Sequence, residues 1–336
     1  MVLVCGADDA YAMPLAVTLR SAIDHLDSNG SIRVFIIDGG LTAKSRNGLL
    51  ETCDDARVCV EFLHVDMSVL QGLPVSQHIS ASSYLRLLIP ELLPSDIQRV
   101  IYLDSDLVIR RDLQQLWSEP QSGYAVLAAQ DYAAPYLDSS SAIDSYQRCK
   151  LHLGATHPIK NYSQLGMSPS AKYFNAGVLL VDVDHWRREE IAEKMLACLT
   201  ENRDHVLWWD QYALNVVLYG DWGELDPRWN QGAHLYDYPN HRESPFDRQT
   251  FKRLKSDPWI VHFTSEVKPW NYFCPHPHAD LFQSYLSRTA WADYEPEVPA
   301  NYLHLLWKYH SKSVKTQIRR RRNAIRCFVN ETLRAA

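Results

Sequence analysis

Strand-like and helix-like segments alternate through the first 130 residues, and this alternation constrains the fold more than any other feature of the sequence. Short apolar runs indicate buried strands at residues 2–5, 32–37, 58–63, 99–103 and 124–129. Apolar residues at helical spacing indicate helices at 12–26, 44–53 and 80–93, with Pro90 marking a kink or an end in the last of these. Strands separated by helices of this length predict an α/β fold with a mainly parallel, twisted sheet flanked by helices.

The second half of the chain is less regular. Further strands are predicted at 174–181 and 259–263, and further helices at 184–199, 210–219 and 280–288. Residues 134–172 are polar and weakly periodic, so they form either a lid or acceptor wall or a surface insertion. No repeat or low-complexity linker interrupts the sequence, so we expect one main domain over residues 1–297 and a basic, helical appendage over residues 298–336, here called the basic tail.

Charge is distributed unevenly along the chain. The basic tail has nine Lys or Arg and one acid, a net charge of +8, which leaves −14 for the rest of a chain whose net charge is −6. An acidic main domain argues against a nucleic-acid-binding surface. Seven cysteines without a Cys-x-x-Cys pair fit reduced thiols. No signal peptide or membrane-spanning segment is recognised, so the expected location is cytoplasmic.

Acidic residues follow three of the predicted strands, at Asp8-Asp9, Asp104-Ser-Asp106 and Asp131. In an open α/β sheet, ligands bind at the carboxyl ends of the strands. Two carboxylates placed two residues apart at such an end are able to share a hard divalent cation, which prefers oxygen ligands. The alternative is that Asp104 and Asp106 are two surface acids in a turn.

Three other classes of protein fit the sequence poorly. A dinucleotide-binding oxidoreductase needs Gly-x-Gly-x-x-Gly after the first strand, where this chain has Gly6-Ala-Asp-Asp-Ala10. A zinc site at Cys274-Pro-His-Pro-His278 lacks a second cluster of ligands. A serine hydrolase would need a Gly-x-Ser-x-Gly elbow, which the sequence does not contain.

Six short motifs occur in an order that resembles glycosyltransferase family 8, the retaining family that includes bacterial lipopolysaccharide galactosyltransferases and glycogenin. The resemblance covers about residues 1–290. The motifs are Val4-Cys-Gly-Ala-Asp-Asp-Ala-Tyr11, Ser82-Ser-Tyr-Leu-Arg86, Tyr102-Leu-Asp-Ser-Asp106, Tyr173-Phe-Asn-Ala-Gly-Val178, Trp209-Asp-Gln211 and His262-Phe-Thr-Ser-Glu-Val-Lys-Pro-Trp270. The resemblance implies a GT-A type nucleotide-sugar-binding domain over residues 1–297, which transfers a hexose such as galactose or glucose from a UDP-sugar.

The resemblance also implies a metal site and a binding site for the donor. Mn²⁺, with Mg²⁺ as the alternative, would be held by Asp104, Asp106 and His262. The resemblance implies catalytic roles for Gln211, at the reactive face of the donor sugar, and for Asp210 and Asp131. The implied donor-binding residues are Ala7, Asp8, Tyr11, Arg86, Asp104, Ser105, Asn175 and Lys268. Among them, Asp8 would accept from the uracil N–H, Tyr11 would stack on the ring, and Lys268 would contact the diphosphate.

The acceptor side is less well defined by sequence. Ser76, His78 and Tyr132 flank the donor motifs and are our acceptor-site predictions. The expected acceptor is a saccharide or a lipid-linked hydroxyl, and the apolar and basic tail predicts contact with the inner face of an anionic membrane. The chain departs from the family at Ala10, often polar, and at Ser265, commonly Gly. A nucleotidyltransferase and an inactive nucleotide-sugar-binding protein are the alternative functions.

Overall fold

The computed structural model describes residues 1–73, 81–307 and 311, and ten strands are present within these residues. The strands are β1 (Val2–Ala7), β2 (Ile32–Asp38), β3 (Val58–His64), β4 (Arg99–Leu103), β5 (Leu107–Ile109), β6 (Val126–Gln130), β7 (Phe174–Asp182), β8 (Trp222–Glu224), β9 (Gln231–Gly232) and β10 (Ile260–His262). Seven of them form a sheet in the order β3-β2-β1-β4-β7-β6-β8. In this sheet β7 is antiparallel to β4 and β6, and every other pair is parallel. The predicted mainly parallel sheet is therefore confirmed.

Helices cover both faces of this sheet. They are α1 (Ala12–Asp24), α2 (Ala43–Thr52), α3 (Ile89–Leu92), α4 (Gln114–Trp117), α5 (Ser139–Ala142), α6 (Tyr146–Cys149), α7 (Val183–Arg188), α8 (Ile191–Glu201), α9 (Trp209–Val217), α10 (Arg248–Ser256) and α11 (Ala279–Leu286). Side chains of β1 alternate between two core clusters, with Leu3 and Cys5 facing α1 and α2, and Val4 facing α7–α9. Burial on both faces explains why the strands read as continuous apolar runs.

Two predicted helices differ from the structure. Residues 81–88 form a long 3-10 helix (Ala81–Leu88), and Pro90 lies in the first turn of α3. Proline fits there because the first helical residues need no N–H donor, so it neither kinks nor ends a helix. The predicted helix at 184–199 is two helices, α7 and α8, because Glu190 has φ 52° and breaks the hydrogen-bond ladder.

A second, smaller sheet lies beside the carboxyl end of β4. Its strand order is β5-β10-β9, with His262 in register with Leu107 on one side and Gly232 on the other. The Thr18 hydroxyl of α1 lies 2.9 Å from the Ser105 carbonyl and accepts from the Leu107 N–H at 3.1 Å. These contacts fix the turn between β4 and β5. The sequence analysis missed β5, β8 and β9, since strands of two or three residues have no readable period. It also missed α10 and the four-residue helices α4, α5 and α6.

The start of the basic tail is helical at residues 302–307. Tyr302 packs edge-on against Tyr272 with ring centroids 5.1 Å apart, whereas Leu303 and Trp307 are 79% and 65% exposed. The remaining tail residues of the prediction, including Tyr309 and Arg319–Arg322, lie outside the described residues. Within the described part of the chain, no helix combines the length and apolar character needed to cross a membrane.

Candidate active site

Asp104, Asp106 and His262 converge where the two sheets meet. Asp104 and Asp106 follow β4, and His262 ends β10. The His262 Nε2 atom lies 3.6 Å from Asp104 Oδ2 and 3.2 Å from Asp106 Oδ1. All three ligand atoms lie within 4.8 Å of one another, and no other such group of His, Cys, Asp or Glu occurs in the part of the chain that the structure describes.

The second oxygen of each carboxylate is held by a different cationic side chain. Asp104 Oδ1 forms an ion pair with the Arg86 guanidinium and accepts a hydrogen bond from the Tyr102 hydroxyl, both at 2.9 Å. Asp106 Oδ2 accepts from Lys268 Nζ at 2.7 Å. Asp104 Oδ2 and Asp106 Oδ1 are thereby left facing His262 Nε2.

This arrangement fits a divalent cation. Neighbouring ligands of an octahedral ion with bonds of about 2.1 Å lie about 3 Å apart, close to the separations of the carboxylate oxygens from His262. Two carboxylates and one imidazole suit ions such as Mn²⁺ or Mg²⁺, with the remaining positions left to phosphate oxygens or water. The three side chains are therefore able to hold such an ion without rearrangement of the sheet.

The charges of the site compensate one another. Burial acts to raise the pKa of the Asp106 carboxyl, yet the Lys268 ammonium and His262 outweigh it and hold this pKa well below its usual range. Burial acts to lower the pKa of the Lys268 ammonium, but the neighbouring Asp106 carboxylate outweighs this effect and raises the pKa. Both groups are thus ionised at neutral pH, and a bound anion would find Lys268 charged.

Arg86 connects the carboxylate cluster to the start of α9. It is buried in the 3-10 helix Ala81–Leu88, donates to the Ala176 carbonyl at 2.6 Å and lies over the Tyr102 ring. Its Nε is 2.9 Å from Asp210 Oδ2, but the alignment is that of an ion pair without a hydrogen bond. Burial raises the pKa of Asp210 to about 6 in spite of the opposing effect of Arg86.

Asp131, Asn175 and Gln211 form one hydrogen-bonded group beside this ion pair. Asp131 Oδ2 accepts from Asn175 Nδ2 at 2.9 Å and from Gln211 Nε2 at 3.2 Å. Asp131 Oδ1 accepts from the backbone N–H groups two and three residues further on. The Gln211 carbonyl accepts from the Ala176 N–H at 3.0 Å. Just before it, Trp209 has φ 40°, an uncommon conformation for a bulky residue and one found preferentially at functional sites.

The predicted nucleotide-side residues surround the turn that follows β1. Asp8 accepts from the Tyr11 N–H at 3.2 Å, Ser105 Oγ donates to the Gly6 carbonyl at 2.9 Å, and Ala7 is buried in the core. The Tyr11 ring contacts the edge of Trp270 at a centroid distance of 5.9 Å. Burial raises the pKa of the Tyr11 phenol, with Lys268 acting to lower it and Asp106 to raise it.

The predicted acceptor residues have different environments. Tyr132 is buried, donates its hydroxyl to the Pro227 carbonyl at 2.7 Å and packs against Phe246. Its hydroxyl is therefore engaged within the protein, and its acceptor role stays a prediction. Ser76 and His78 lie outside the described residues.

The substitution of serine for the family's usual glycine at Ser265 causes no backbone strain. Among the described residues that carry a Cβ, positive φ occurs at Ser122, Glu190 and Trp209 and not at Ser265. The Ser265 hydroxyl donates to the Val267 carbonyl at 2.9 Å. Glycine conformations are thus not required at this position in the structure.

The sequence analysis missed two residues that shape the site. A Cβ on Gly177 of β7 would lie 2.2 Å from His262 Cε1 and 2.8 Å from Asp104 Oδ2, so a larger residue would collide with the cluster. A glycine inside an otherwise apolar strand is a signal of such close approach. Asn230 accepts from His262 Nδ1 at 2.8 Å; no motif around it would have marked it.

A mainly parallel sheet with a carboxylate–histidine cluster at its carboxyl edge, flanked by the cationic side chains of Arg86 and Lys268, fits a glycosyltransferase of the nucleotide-sugar-binding type. The chain belongs to glycosyltransferase family 8, since the sequence model described as Glycosyl transferase family 8 matches residues 2–274.

Named relatives agree with this assignment. General stress protein A of Bacillus subtilis is 31% identical over 294 residues, which are 87% of this chain and 94% of the relative. Lipopolysaccharide 1,2-glucosyltransferase of Escherichia coli is 24% identical over 91% of this chain and 85% of its own length. The galactosyltransferase LgtC, solved with donor and acceptor sugar analogs, superposes with a TM-score of 0.70 at 24% identity, covering 90% of this chain and 99% of that one. At this identity the structural likeness shows the fold alone.

Proposed function

We propose that the protein is a retaining hexosyltransferase that moves galactose or glucose from a UDP-sugar to a hydroxyl of a saccharide or lipid-linked acceptor, with Mn²⁺ or, alternatively, Mg²⁺. The observation that carries the proposal is the cluster of Asp104, Asp106 and His262 flanked by Arg86 and Lys268. The names of a glucosyltransferase relative and a galactosyltransferase of the same fold support a hexose donor.

The residues in and around the cluster would have different roles in binding the donor. Asp104, Asp106 and His262 would hold the cation, which when bound neutralises the charge of the diphosphate. Lys268 and Arg86 would add fixed positive charge that stabilises UDP as it leaves, and this charge is effective because Arg86 is buried and the Lys268 side chain is only 17% exposed. Asp8 and Tyr11 would contact the uracil, and Ser105 and Ala7 lie near the same turn after β1.

Front-face displacement is the mechanism that the sugar side supports. A double displacement needs a carboxylate nucleophile beneath the anomeric carbon, whereas the residue that the family resemblance assigns to this position is Gln211, an amide and a poor nucleophile. The bond from the anomeric carbon to UDP would break as the acceptor oxygen bonds on the same face, and a phosphate oxygen of UDP would take the acceptor proton. The Gln211 carbonyl accepts one N–H and retains a second lone pair for the cationic sugar.

Release of UDP tests this proposal directly. The purified protein is incubated with UDP-galactose or UDP-glucose and an acceptor, with Mn²⁺, with Mg²⁺ or with chelator. We expect cation-dependent UDP release and, by proton NMR of the fresh product, an α-linkage from the α-linked donor. A β-linked product would contradict the mechanism, and full activity in chelator would contradict the metal site.

Matched variants sharpen this test. Asp104→Asn or Asp106→Asn should lower turnover by roughly 100-fold or more, because electrostatic stabilisation of this kind is worth several kcal/mol. Asp55→Asn removes a carboxylate paired with Arg57 at the opposite edge of the sheet and should leave turnover unchanged. Gln211→Ala should lower turnover without abolishing it.

Two other functions give different products in the same assay. A nucleotidyltransferase would release pyrophosphate from UTP and a sugar phosphate, but the turn after β1 carries Asp8 and Asp9 where that class needs a basic, glycine-rich loop. An inactive nucleotide-sugar-binding protein would bind the donor and release nothing. The ionised Asp106 and Lys268 favour the active enzyme.

A second part of the proposal concerns location. The exposed Leu303 and Trp307, followed in sequence by the basic residues of the tail, support a peripheral position at the inner face of the cytoplasmic membrane. Such a position would bring the enzyme to a lipid-linked or envelope acceptor.

A further inference from the structure

A continuous network of side-chain hydrogen bonds, buried at His262 and Asn230 and partly buried beyond them, joins His262 to Gln211. His262 Nδ1 contacts Asn230 Oδ1 at 2.8 Å, and Asn230 Nδ2 donates to Asn175 Oδ1 at 2.8 Å. Asn175 Nδ2 and Gln211 Nε2 both donate to Asp131 Oδ2. The network therefore runs from the predicted metal ligand to the predicted donor-sugar residues through Asn230, which is 1% exposed.

Two fixed groups determine the direction of every bond in this network. The Gly177 N–H, which is able only to donate, contacts Asn175 Oδ1 at 3.0 Å, and the Asp131 carboxylate accepts from Asn175 Nδ2. The orientation of the Asn175 amide is thus defined. Asn230 must turn its NH₂ to Asn175 and its carbonyl oxygen to His262, and this oxygen is able only to accept. His262 Nδ1 must then carry the proton.

The tautomer of His262 follows from this order. With the proton on Nδ1, the lone pair lies on Nε2, the atom that faces Asp104 Oδ2 and Asp106 Oδ1. A metal-binding histidine is commonly oriented in this way by an acceptor on its other nitrogen, usually a carboxylate or a backbone carbonyl. Here the acceptor is the side-chain amide of Asn230, and the NH₂ group of the same amide donates to Asn175, a predicted donor-sugar residue.

We infer that Asn230 is a positioning residue, which fixes the Nδ1–H tautomer of His262 and couples the metal site to the amides of Asn175 and Gln211. The inference rests on the proposed function for its metal and sugar roles. Asn230 is held in place by backbone structure, because it ends the 3-10 helix Pro227–Asn230 and the next two residues form β9, which pairs with β10 beside His262. In a buried, low-dielectric site, each bond of such a network is costly to break.

The tautomer is measured by long-range proton–nitrogen NMR of the imidazoles in the protein saturated with Mg²⁺, which is diamagnetic, with the His262 signal assigned by its loss in His262→Gln. We expect Nδ1–H in the wild type, whereas Nε2–H would overturn the inference without any need for an Asn230 variant. This measurement needs no activity, so a failure to release UDP would count against the proposed function alone.

Two variants distinguish the role of the Asn230 carbonyl oxygen from that of its NH₂ group. Asn230→Ala removes both bonds and should mix the tautomers and weaken Mn²⁺ binding, measured from free Mn²⁺ by electron paramagnetic resonance, by about 10- to 100-fold. Asn230→Asp retains an acceptor for His262 but no donor for Asn175, so it should preserve the tautomer and Mn²⁺ affinity while kcat falls.

Asn161→Ala is the matched control. Asn161 is also buried and forms hydrogen bonds to Tyr212 and Asn202, which are not part of the hydrogen-bond network from His262 to Gln211. It should change neither the tautomer nor Mn²⁺ affinity. Unchanged tautomer and Mn²⁺ affinity in a folded Asn230→Ala protein would overturn the inference, as would loss of the tautomer in Asn230→Asp.

Discussion

Gly177 is the residue on which the closeness of the metal cluster most depends. Its hydrogen atom occupies the position where a Cβ would lie 2.2 Å from His262 Cε1. Gly177→Ala should therefore displace His262 or Asp104, lower turnover by roughly 100-fold or more and destabilise the fold by about 1–3 kcal/mol, the usual cost of overpacking. Steady-state kinetics and thermal unfolding measure the two effects.

The matched control for Gly177 lies in the neighbouring sheet. A Cβ on Gly232 of β9 would be 3.5 Å from the Tyr132 ring and 3.6 Å from Thr264, an ordinary contact distance. Gly232→Ala should retain near-wild-type turnover and stability. Equal turnover in Gly177→Ala and Gly232→Ala would show that the cluster tolerates displacement.

Asp210 should give the enzyme an acid-side pH dependence. Its pKa is raised by burial to about 6, so the carboxylate predominates above this pH and takes up a proton below it. Protonation removes one of the two carboxylates that pair with Arg86 and leaves Asp104 as the other. We expect kcat/KM for the donor to fall as the pH drops through about 6, in a pH–rate profile measured from pH 5 to 9.

Substitution identifies the group responsible for this fall. In Asp210→Asn, kcat/KM should be lower at every pH and the acid limb near pH 6 should disappear. Asp184→Asn, which changes a partly exposed carboxylate near Arg187 on α7, should retain the limb. Persistence of the limb in Asp210→Asn would assign it to another titrating group.

The proximity of site residues was predictable where local sequence carries the signal. Asp104 and Asp106 follow an apolar strand at a spacing of two, and Lys268 lies in a short motif with His262, so their proximity was predictable. Asn230 and Gly177 depend on which strands are adjacent. That adjacency involves β9, a strand of two residues that no periodicity marks, although its partner β10 was predicted. The donor and acceptor roles of the predicted residues stay predictions.

At the scale of elements, the break between α7 and α8 shows the limit of periodicity. The apolar residues of the two helices have a spacing that predicts a single helix. The left-handed conformation of Glu190 instead ends the first helix and changes the direction of the chain. A left-handed residue with a Cβ costs about 1–2 kcal/mol, and no sequence signal of the usual kind, a glycine or asparagine, announces it.

Glu190→Gly should consequently stabilise the protein. Relief of the left-handed strain exceeds the entropic cost of glycine, so the free energy of unfolding should rise by roughly 0.5–1 kcal/mol. Urea unfolding followed by circular dichroism measures the change. Glu189→Gly is the control, because Glu189 has an ordinary φ of −94° and its exposed ion pairs contribute little. It should lower the free energy of unfolding, and a decrease in both variants would contradict the assignment of strain to Glu190.

At the scale of the whole molecule, the charge asymmetry has a predicted consequence. A main domain of net charge −14 would be repelled by an anionic membrane, whereas the basic tail of net charge +8 would be attracted. The exposed Leu303 and Trp307 add apolar area at the start of this tail. Attraction through the tail would therefore hold the acidic domain at the surface without insertion of the domain itself.

Vesicle sedimentation tests this consequence. The full chain should sediment with vesicles that contain anionic lipid and dissociate as salt is added, since each basic residue near the surface contributes about 1 kcal/mol that salt screens. A chain that lacks residues 298–336 should stay in the supernatant. Trp307→Ser should weaken binding, whereas Leu50→Ser, which removes a 45% exposed leucine from α2, should not. Equal sedimentation of the truncated chain would refute the role of the tail, and binding that does not respond to salt would show that apolar contact, and not the basic residues, holds the protein to the membrane.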